Sequence, residues 1–245
     1  MNAATTAATD ARPRASTRHR ADLRTFDRVL AAVLMPLGPA AVAVTRYVIP
    51  FEPVGESVTA NPDAQRLVLA MGVIGTFTMI PGLYAALRLL RRRTPRLTAW
   101  TAGILMPAYL AMTAGAGFEQ ATMAAYDAGF TPAEMDRLNL AMWMLPVTMI
   151  LGGVFVIGHI VGTVLLGITM IVSRMTSILV GIAMAVSQPL HFVALVVFQS
   201  RVLDLVAWGT TAVCMGVLAW HVLRTPNDEW DLPPAPVARA AGANR

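Results

Sequence analysis

Charge is scarce in this chain of 245 residues, lysine is absent, and cysteine occurs once. Charged residues make up 13% of the sequence, whereas a typical soluble domain has about a quarter. Because 56% of the residues are hydrophobic and the mean hydropathy is +0.59, the composition indicates a polytopic membrane protein. The single cysteine, Cys214, excludes an intramolecular disulfide and any Cys-x-x-Cys metal motif.

All nineteen basic residues are therefore arginine, and the formal net charge is +5. A nucleic-acid-binding protein concentrates its basic residues on a soluble face. Here the arginines lie between apolar runs, so no nucleic-acid partner is expected.

Long apolar runs are what the sequence does have. A membrane-spanning helix needs about 20 apolar residues, and six stretches satisfy this: 29–49, 67–90, 97–117, 147–172, 175–198 and 202–223. They predict an all-α bundle of six spans over residues 29–223. The flanking segments 1–28 and 224–245 are polar or rich in proline and are expected to be disordered.

The segment "TPAEMDRLNLAMWMLP" predicts a separate short helix before the fourth span. Thr131 is a suitable N-cap, Pro132 suits the first helical position, and Glu134 completes a capping box. We expect an amphipathic interfacial helix over 132–145.

The arginines also predict the topology. Fifteen of them flank one side of the six spans, and four flank the other: Arg46, Arg66, Arg137 and Arg201. Positive residues favour the cytoplasm, so both termini are expected there, with the spans in the plasma membrane. The run of Arg91, Arg92 and Arg93 is expected to meet anionic lipid headgroups at the inner surface.

Small residues at four-residue spacing predict close helix packing. Gly158 and Gly162 lie in the fourth span, and Gly181 and Ala185 lie in the fifth. Only "SRM" separates the two spans, so these small faces are expected to meet each other.

Polar residues at membrane depth are the candidates for function. Counted along the two spans, His159 and Gln188 lie at similar depth, which predicts a hydrogen bond that fastens the fourth span to the fifth. This interpretation makes the protein a non-enzymatic structural or accessory bundle.

A second interpretation is a small solute or proton-coupled permease. Ionisable residues inside spans often mark such paths, and His159, Gln188, His191 and Glu119 would line one, together with the outer Asp204. Six spans are few for a complete carrier, so this interpretation predicts a homodimer.

A third interpretation is a membrane-embedded enzyme acting on a lipophilic substrate, although no catalytic or metal-binding motif is present. No cofactor is expected either. The depths of His159 and His191 are predicted to differ by about 7 Å, which disfavours a shared haem.

The motifs "GHIVGTVLLGITM" and "SQPLHFVALVV" resemble those of a group of uncharacterised small polytopic membrane proteins from GC-rich bacteria. The similarity covers most of residues 29–223 and brings no activity with it. It implies that six residues belong to one motif set: Gly158, His159, Gly162, Gln188, Pro189 and His191.

Overall fold

The computed structural model describes residues 22–49 and 53–231, and every regular element within them is an α-helix. The nine helices are α1 (Arg24–Val48), α2 (Val54–Ala60), α3 (Pro62–Leu90), α4 (Pro95–Asp127), α5 (Pro132–Trp143), α6 (Pro146–Ser173), α7 (Ile178–Val196), α8 (Arg201–Arg224) and α9 (Asn227–Trp230). Six of them, α1, α3, α4, α6, α7 and α8, are long and apolar enough to cross a membrane. The prediction of an all-α bundle with six spans is confirmed.

The six long helices form a closed ring. Each packs against its neighbour in chain order, and α8 packs against α1 to complete the circle. Each of these helices contributes at least one fully buried apolar side chain to the core, among them Met35, Leu83, Leu105, Leu166, Met184 and Leu218. Contact between the first and last spans brings distant parts of the sequence together.

Parts of the segments expected to be disordered are helical. Residues 24–28 belong to α1, and the chain after α8 forms the turn α9. The physical reason is Trp230, which is 3% exposed and donates its Nε1 hydrogen to Asp27 Oδ2 at 2.8 Å. Residues 1–21 and 232–245 lie outside the described residues.

The short helix before the fourth span is present as α5. The Glu134 carboxylate accepts from the Thr131 N–H at 2.8 Å and from the Thr131 hydroxyl at 2.7 Å. Both hydrogen bonds lower the pKa of Glu134 below its usual value, and the bond from the backbone N–H has the larger effect. α5 packs against α2, where the Gly55 N–H donates to Asp136 Oδ1 at 2.8 Å. Its position at a membrane surface stays a prediction.

The small residues of α6 pack differently from expectation. A Cβ on Gly158 would lie 2.8 Å from the Ala108 Cβ, and one on Gly162 would lie 2.9 Å from the Leu105 Cβ. Both neighbours belong to α4, so the prediction that these glycines meet α7 is wrong.

The α6–α7 contact uses Gly167 instead. A Cβ on Gly167 would lie 2.5 Å from the Gly181 carbonyl oxygen and 2.7 Å from the Ala185 Cβ. Gly181 and Ala185 therefore do serve this contact, as expected. Gly167 lies five residues after Gly162, about 140° further round the helix, which is why the two glycine faces of α6 meet different neighbours.

Candidate functional site

Three ionisable side chains from α1, α7 and α8 meet inside the bundle. Asp204 is completely buried, and its two carboxylate oxygens have different partners. His191 Nδ1 lies 2.5 Å from Oδ1, and Arg46 Nε lies 2.8 Å from Oδ2. We call Arg46, His191 and Asp204 the His191 centre. It links the first, fifth and sixth spans through one carboxylate.

Aromatic rings surround this centre. His159 of α6 stacks on Phe155 with centroids 4.5 Å apart and lies parallel to Trp208 of α8 at 6.0 Å. The His191 ring is 5.5 Å from the His159 ring and 5.6 Å from that of Trp208. The two buried histidines are thus in ring contact, one on each side of the α6–α7 connection.

The ring contact between His159 and His191 shows that the depths predicted for these two residues were wrong. Measured from the α6–α7 connection, His159 is 14 residues before the end of α6 at Ser173, and His191 is 13 residues after the start of α7 at Ile178. At 1.5 Å per residue these positions are level to within about 2 Å. The fifth span was expected to begin at residue 175, and the later start moves His191 to the depth of His159. The predicted difference in depth, used as an argument against a shared haem, was therefore wrong.

The predicted hydrogen bond between His159 and Gln188 is not formed. Gln188 lies three residues nearer the connection than His191, which is about 5 Å along the helix. Its amide Nε2 donates instead to Thr211 Oγ1 of α8 at 2.8 Å. The amide therefore fastens α7 to α8 rather than to α6.

His159 is held by its own helix. Its Nδ1 lies 2.7 Å from the Phe155 carbonyl oxygen. A carbonyl only accepts, so the proton of the neutral ring must be on Nδ1, and Nε2 is an acceptor. Among the described residues Nε2 has no hydrogen-bond partner, although His159 is 1% exposed.

Glu119 is not part of the His191 centre. Its carboxylate accepts a hydrogen bond from the Gln65 amide between α3 and α4. Gln65 also lines a cavity of about 260 Å³ together with Ser57, Asn61 and Arg201. Of the residues in the predicted polar path, His159 and His191 are in ring contact, whereas Glu119 is bonded to Gln65.

Two residues of the site were missed as functional candidates. Arg46 entered the sequence analysis only through the topology, and Trp208 did not enter it. An arginine inside the apolar run 29–49, three residues before its end, was a usable signal for Arg46. Trp208 had none, because a tryptophan in a span has many ordinary roles.

The remaining predicted sites have simpler surroundings. Arg93 donates to the Ser173 carbonyl at 3.1 Å, while Arg91 and Arg92 are exposed. Lipid binding by these arginines stays a prediction. Within residues 22–49 and 53–231, no three His, Cys, Asp or Glu side chains group as a metal site requires.

The chain matches no protein-family model, no curated protein and no solved structure. Its function is therefore inferred from the His191 centre and the side chains around it.

Proposed function

We propose that this integral membrane protein is a small proton-coupled carrier and that the His191 centre is its proton site. The observation that carries the proposal is the contact of the buried His191 and Asp204 with the partly buried Arg46 among three membrane-spanning helices. Ionisable groups inside a span are costly to hold and mark proton or substrate paths. Histidine is also the side chain whose ordinary titration falls between pH ~5 and 8.

The charges of the centre explain how proton binding would drive movement. With His191 neutral, the charges of Arg46 and Asp204 cancel. A proton on His191 gives these three groups a net charge of +1, and holding an extra charge in a partly buried site is costly. Protonation therefore favours a conformation in which the centre meets water or an anion, and the proton is coupled to that change.

Two of the three helices that hold the centre contain proline. Pro36 and Pro39 lie inside α1, and Pro189 lies two residues before His191 in α7. A proline removes one backbone donor, which leaves the Ala185 carbonyl without its usual helical partner. α1 and α7 are continuous helices, and a proline inside such a helix supplies a point of bending, comparable in role to the discontinuous helices of alternating-access carriers.

A structural or accessory bundle is the second candidate. In its favour, the charges of the centre are paired and its side chains are closely packed, with Asp204 fully buried and His191 at 7% exposure. The same contacts would fasten α1, α7 and α8 without any transport. Loss of stability in a variant is expected from both candidates, so it does not separate them.

Titration of His191 separates the two candidates. The experiment is ¹⁵N-histidine NMR of the full chain in lipid nanodiscs from pH ~5 to 8, with His191→Gln used for assignment. The carrier requires His191 to bind a proton in this range and the helices to rearrange with it. If the His191 signal is constant throughout, the carrier proposal fails and the structural bundle is preferred.

Transport itself is tested in proteoliposomes that contain the pH-sensitive dye pyranine. A panel of polyols, amides and carboxylates is added under an inward proton gradient. At least one solute should accelerate proton entry in the wild type. His191→Gln can still donate to Asp204 but cannot titrate, and it should abolish the acceleration. Native mass spectrometry with retained lipid tests the homodimer that a six-span carrier implies.

We propose the orientation together with the function: the six spans cross the plasma membrane, and both termini lie in the cytoplasm. It is supported by the fifteen arginines on one side of the six spans and by the general rule that positive residues stay inside. Reporter fusions at residue 125, in the last part of α4, should read as external. A cytoplasmic signal there would reverse the orientation.

A further inference from the structure

We infer that the interior between α6, α7 and α8, beside the His191 centre, binds a neutral hydroxyl-bearing molecule, either water or the hydroxyl of a small solute. The inference rests on the proposed function, because it adds a solute site to the proton site. Three polar atoms carry it: His159 Nε2, Gln188 Oε1 and Trp208 Nε1. Each has no hydrogen-bond partner in the described part of the chain, and each side chain is 1% exposed.

The three side chains belong to one region of the interior. The His159 and Trp208 rings are stacked 6.0 Å apart with an interplanar angle of 13°. Gln188 is tied to Thr211, which lies three residues after Trp208 on α8. The three residues therefore lie within about one helical turn of the ring contact between His159 and Trp208.

A chain of hydrogen bonds determines which end of the Gln188 amide is the nitrogen and which is the oxygen. The Ser187 hydroxyl donates to the Met184 carbonyl at 2.8 Å, and the Thr211 hydroxyl donates to Ser187 Oγ at 2.8 Å. Since the single Thr211 hydrogen is used there, Thr211 must accept from the amide nitrogen of Gln188. The Gln188 oxygen is consequently the free acceptor.

The three atoms require a ligand that both donates and accepts. His159 Nε2 and Gln188 Oε1 are acceptors, whereas Trp208 Nε1 is a donor only. An ammonium ion cannot accept from Trp208, and a carboxylate cannot donate to His159 or Gln188. A water molecule has two hydrogens and free lone pairs on one oxygen, so it supplies both kinds of partner. A polyol supplies the same groups from neighbouring hydroxyls.

The charge of the proton site would affect the binding of a ligand at this position. The His159 ring that would bind it is 5.5 Å from the ring of His191. Protonation of His191 changes the charge next to the ligand, and by linkage the ligand changes the proton affinity of His191. A hydroxyl-bearing solute is thus the substrate class that the centre is placed to couple to protons.

The indole hydrogens of two tryptophans provide the test. The full chain is labelled with ¹⁵N-tryptophan in nanodiscs, and cross-peaks from each Nε1–H are measured in water and then with increasing glycerol. Trp230 is the internal control, because its Nε1–H donates to Asp27 at 2.8 Å. We expect a cross-peak from Trp208 to a hydroxyl proton.

Glycerol separates the two sources of the hydroxyl. A water cross-peak that glycerol leaves unchanged assigns the site to water, and saturable replacement by glycerol protons assigns it to a solute. Both outcomes support the inference. It is overturned if Trp208 shows neither cross-peak and its Nε1–H resonates upfield of that of Trp230, as an unbonded indole does.

A variant pair locates the site. His159→Phe keeps a ring in the stack but removes the acceptor, and it should weaken the Trp208 cross-peak severalfold. The matched control His221→Phe changes a histidine in the last turn of α8 and should leave the cross-peak intact. An equal loss in both variants contradicts the site. If His159→Phe does not fold, the wild-type measurement still decides.

The outcome is separable from that of the proposed function, which is read by titration of His191. Titration without a hydroxyl contact at Trp208 overturns only the hydroxyl site. A contact without titration overturns the carrier and leaves the hydroxyl as a structural ligand.

Discussion

Two clusters at opposite ends of α1 use the same kinds of side chain. One is the His191 centre, which includes Arg46. The other, called here the terminal latch, joins the starts of α1 and α9 to the end of α3 and consists of Arg24, Asp27, Arg88, Asp228, Trp230 and Asp231. Arg24 and Arg46 are 22 residues apart, which is about 33 Å along a helix.

The terminal latch is built around a buried ring and exposed carboxylates. The Arg88 guanidinium lies 4.6 Å from the centre of the Trp230 ring and 3.1 Å from Asp27 Oδ2. Arg88 also pairs with Asp231 at 2.6 Å, and Arg24 pairs with Asp228 at 2.5 Å. Side-chain exposure is 50% for Asp27 and 83% for Asp228.

Burial makes the difference between the clusters. The difference lies in the carboxylates: water can replace the exposed Asp27 and Asp228 of the latch, whose arginines are only 15% exposed, so such pairs contribute about 0–1 kcal/mol. Asp204 is fully buried and has no such substitute, so each of its partners is required. The comparison teaches that the same arginine–carboxylate contact is exchangeable at the latch and obligatory at the centre.

The largest expected effect comes from removing one charge from each cluster. Asp204→Asn leaves Arg46 without its carboxylate and should lower the free energy of unfolding by about 3–5 kcal/mol. Asp228→Asn, the matched exposed change, should lower it by less than about 1 kcal/mol. Unfolding is measured in mixed micelles with increasing denaturing detergent. Equal effects would break the comparison.

Removing the buried Trp230 ring from the terminal latch should have a large effect on stability that is confined to the latch. Trp230→Ala loses a buried ring and its hydrogen bond to Asp27, which together should weaken docking of the C-terminal turn by about 2–3 kcal/mol. Hydrogen exchange should increase over 225–231 while the six spans keep their protection. A parallel loss of protection around Trp208 would show that the latch and the centre are coupled.

Raising the salt concentration should affect the two clusters differently, but by less than the substitutions above. Raising the ionic strength from about 0.1 to 1 M shortens the screening length from about 10 to 3 Å. We expect the latch to loosen by roughly 1 kcal/mol, seen as faster exchange over 225–231, and the ¹⁵N signals of His191 to stay unchanged. A salt-dependent His191 signal would mean that the centre is open to solvent.

The sequence predicted those parts of the fold that depend on local pattern. Hydropathy located all six spans, and the capping box located α5, because both are properties of contiguous residues. Helix ends were less accurate: the third span was expected to end at 117 but continues to Asp127, since no strong helix breaker intervenes before Gly129, where φ is +83°. A shift of three residues at the start of α7 was enough to exchange Gln188 for His191 as the neighbour of His159.

The rest of the site depends on how the helices are arranged in the ring. Nothing local in the sequence states that the first span packs against the last, yet this contact pairs Arg46 with Asp204. The faces of α6 are ambiguous in the same way, and Gly158 proved to meet α4. Candidate residues could be named from the apolar runs, but their partners required the packing.

The smallest expected effect concerns Glu134, a carboxylate that is exposed, unlike Asp204. The hydrogen bonds from Thr131 lower the pKa of Glu134, so the folded state favours the ionised form. Its contribution to the α5 cap is present above the unfolded pKa of about 4.3 and is lost as the pH falls through the lower folded value. The Thr131 amide shift should therefore change between pH ~5 and 3. Glu134→Gln keeps the capping amide oxygen but cannot ionise, so its Thr131 shift should be constant; a pH-dependent shift in this variant would assign the titration to another group.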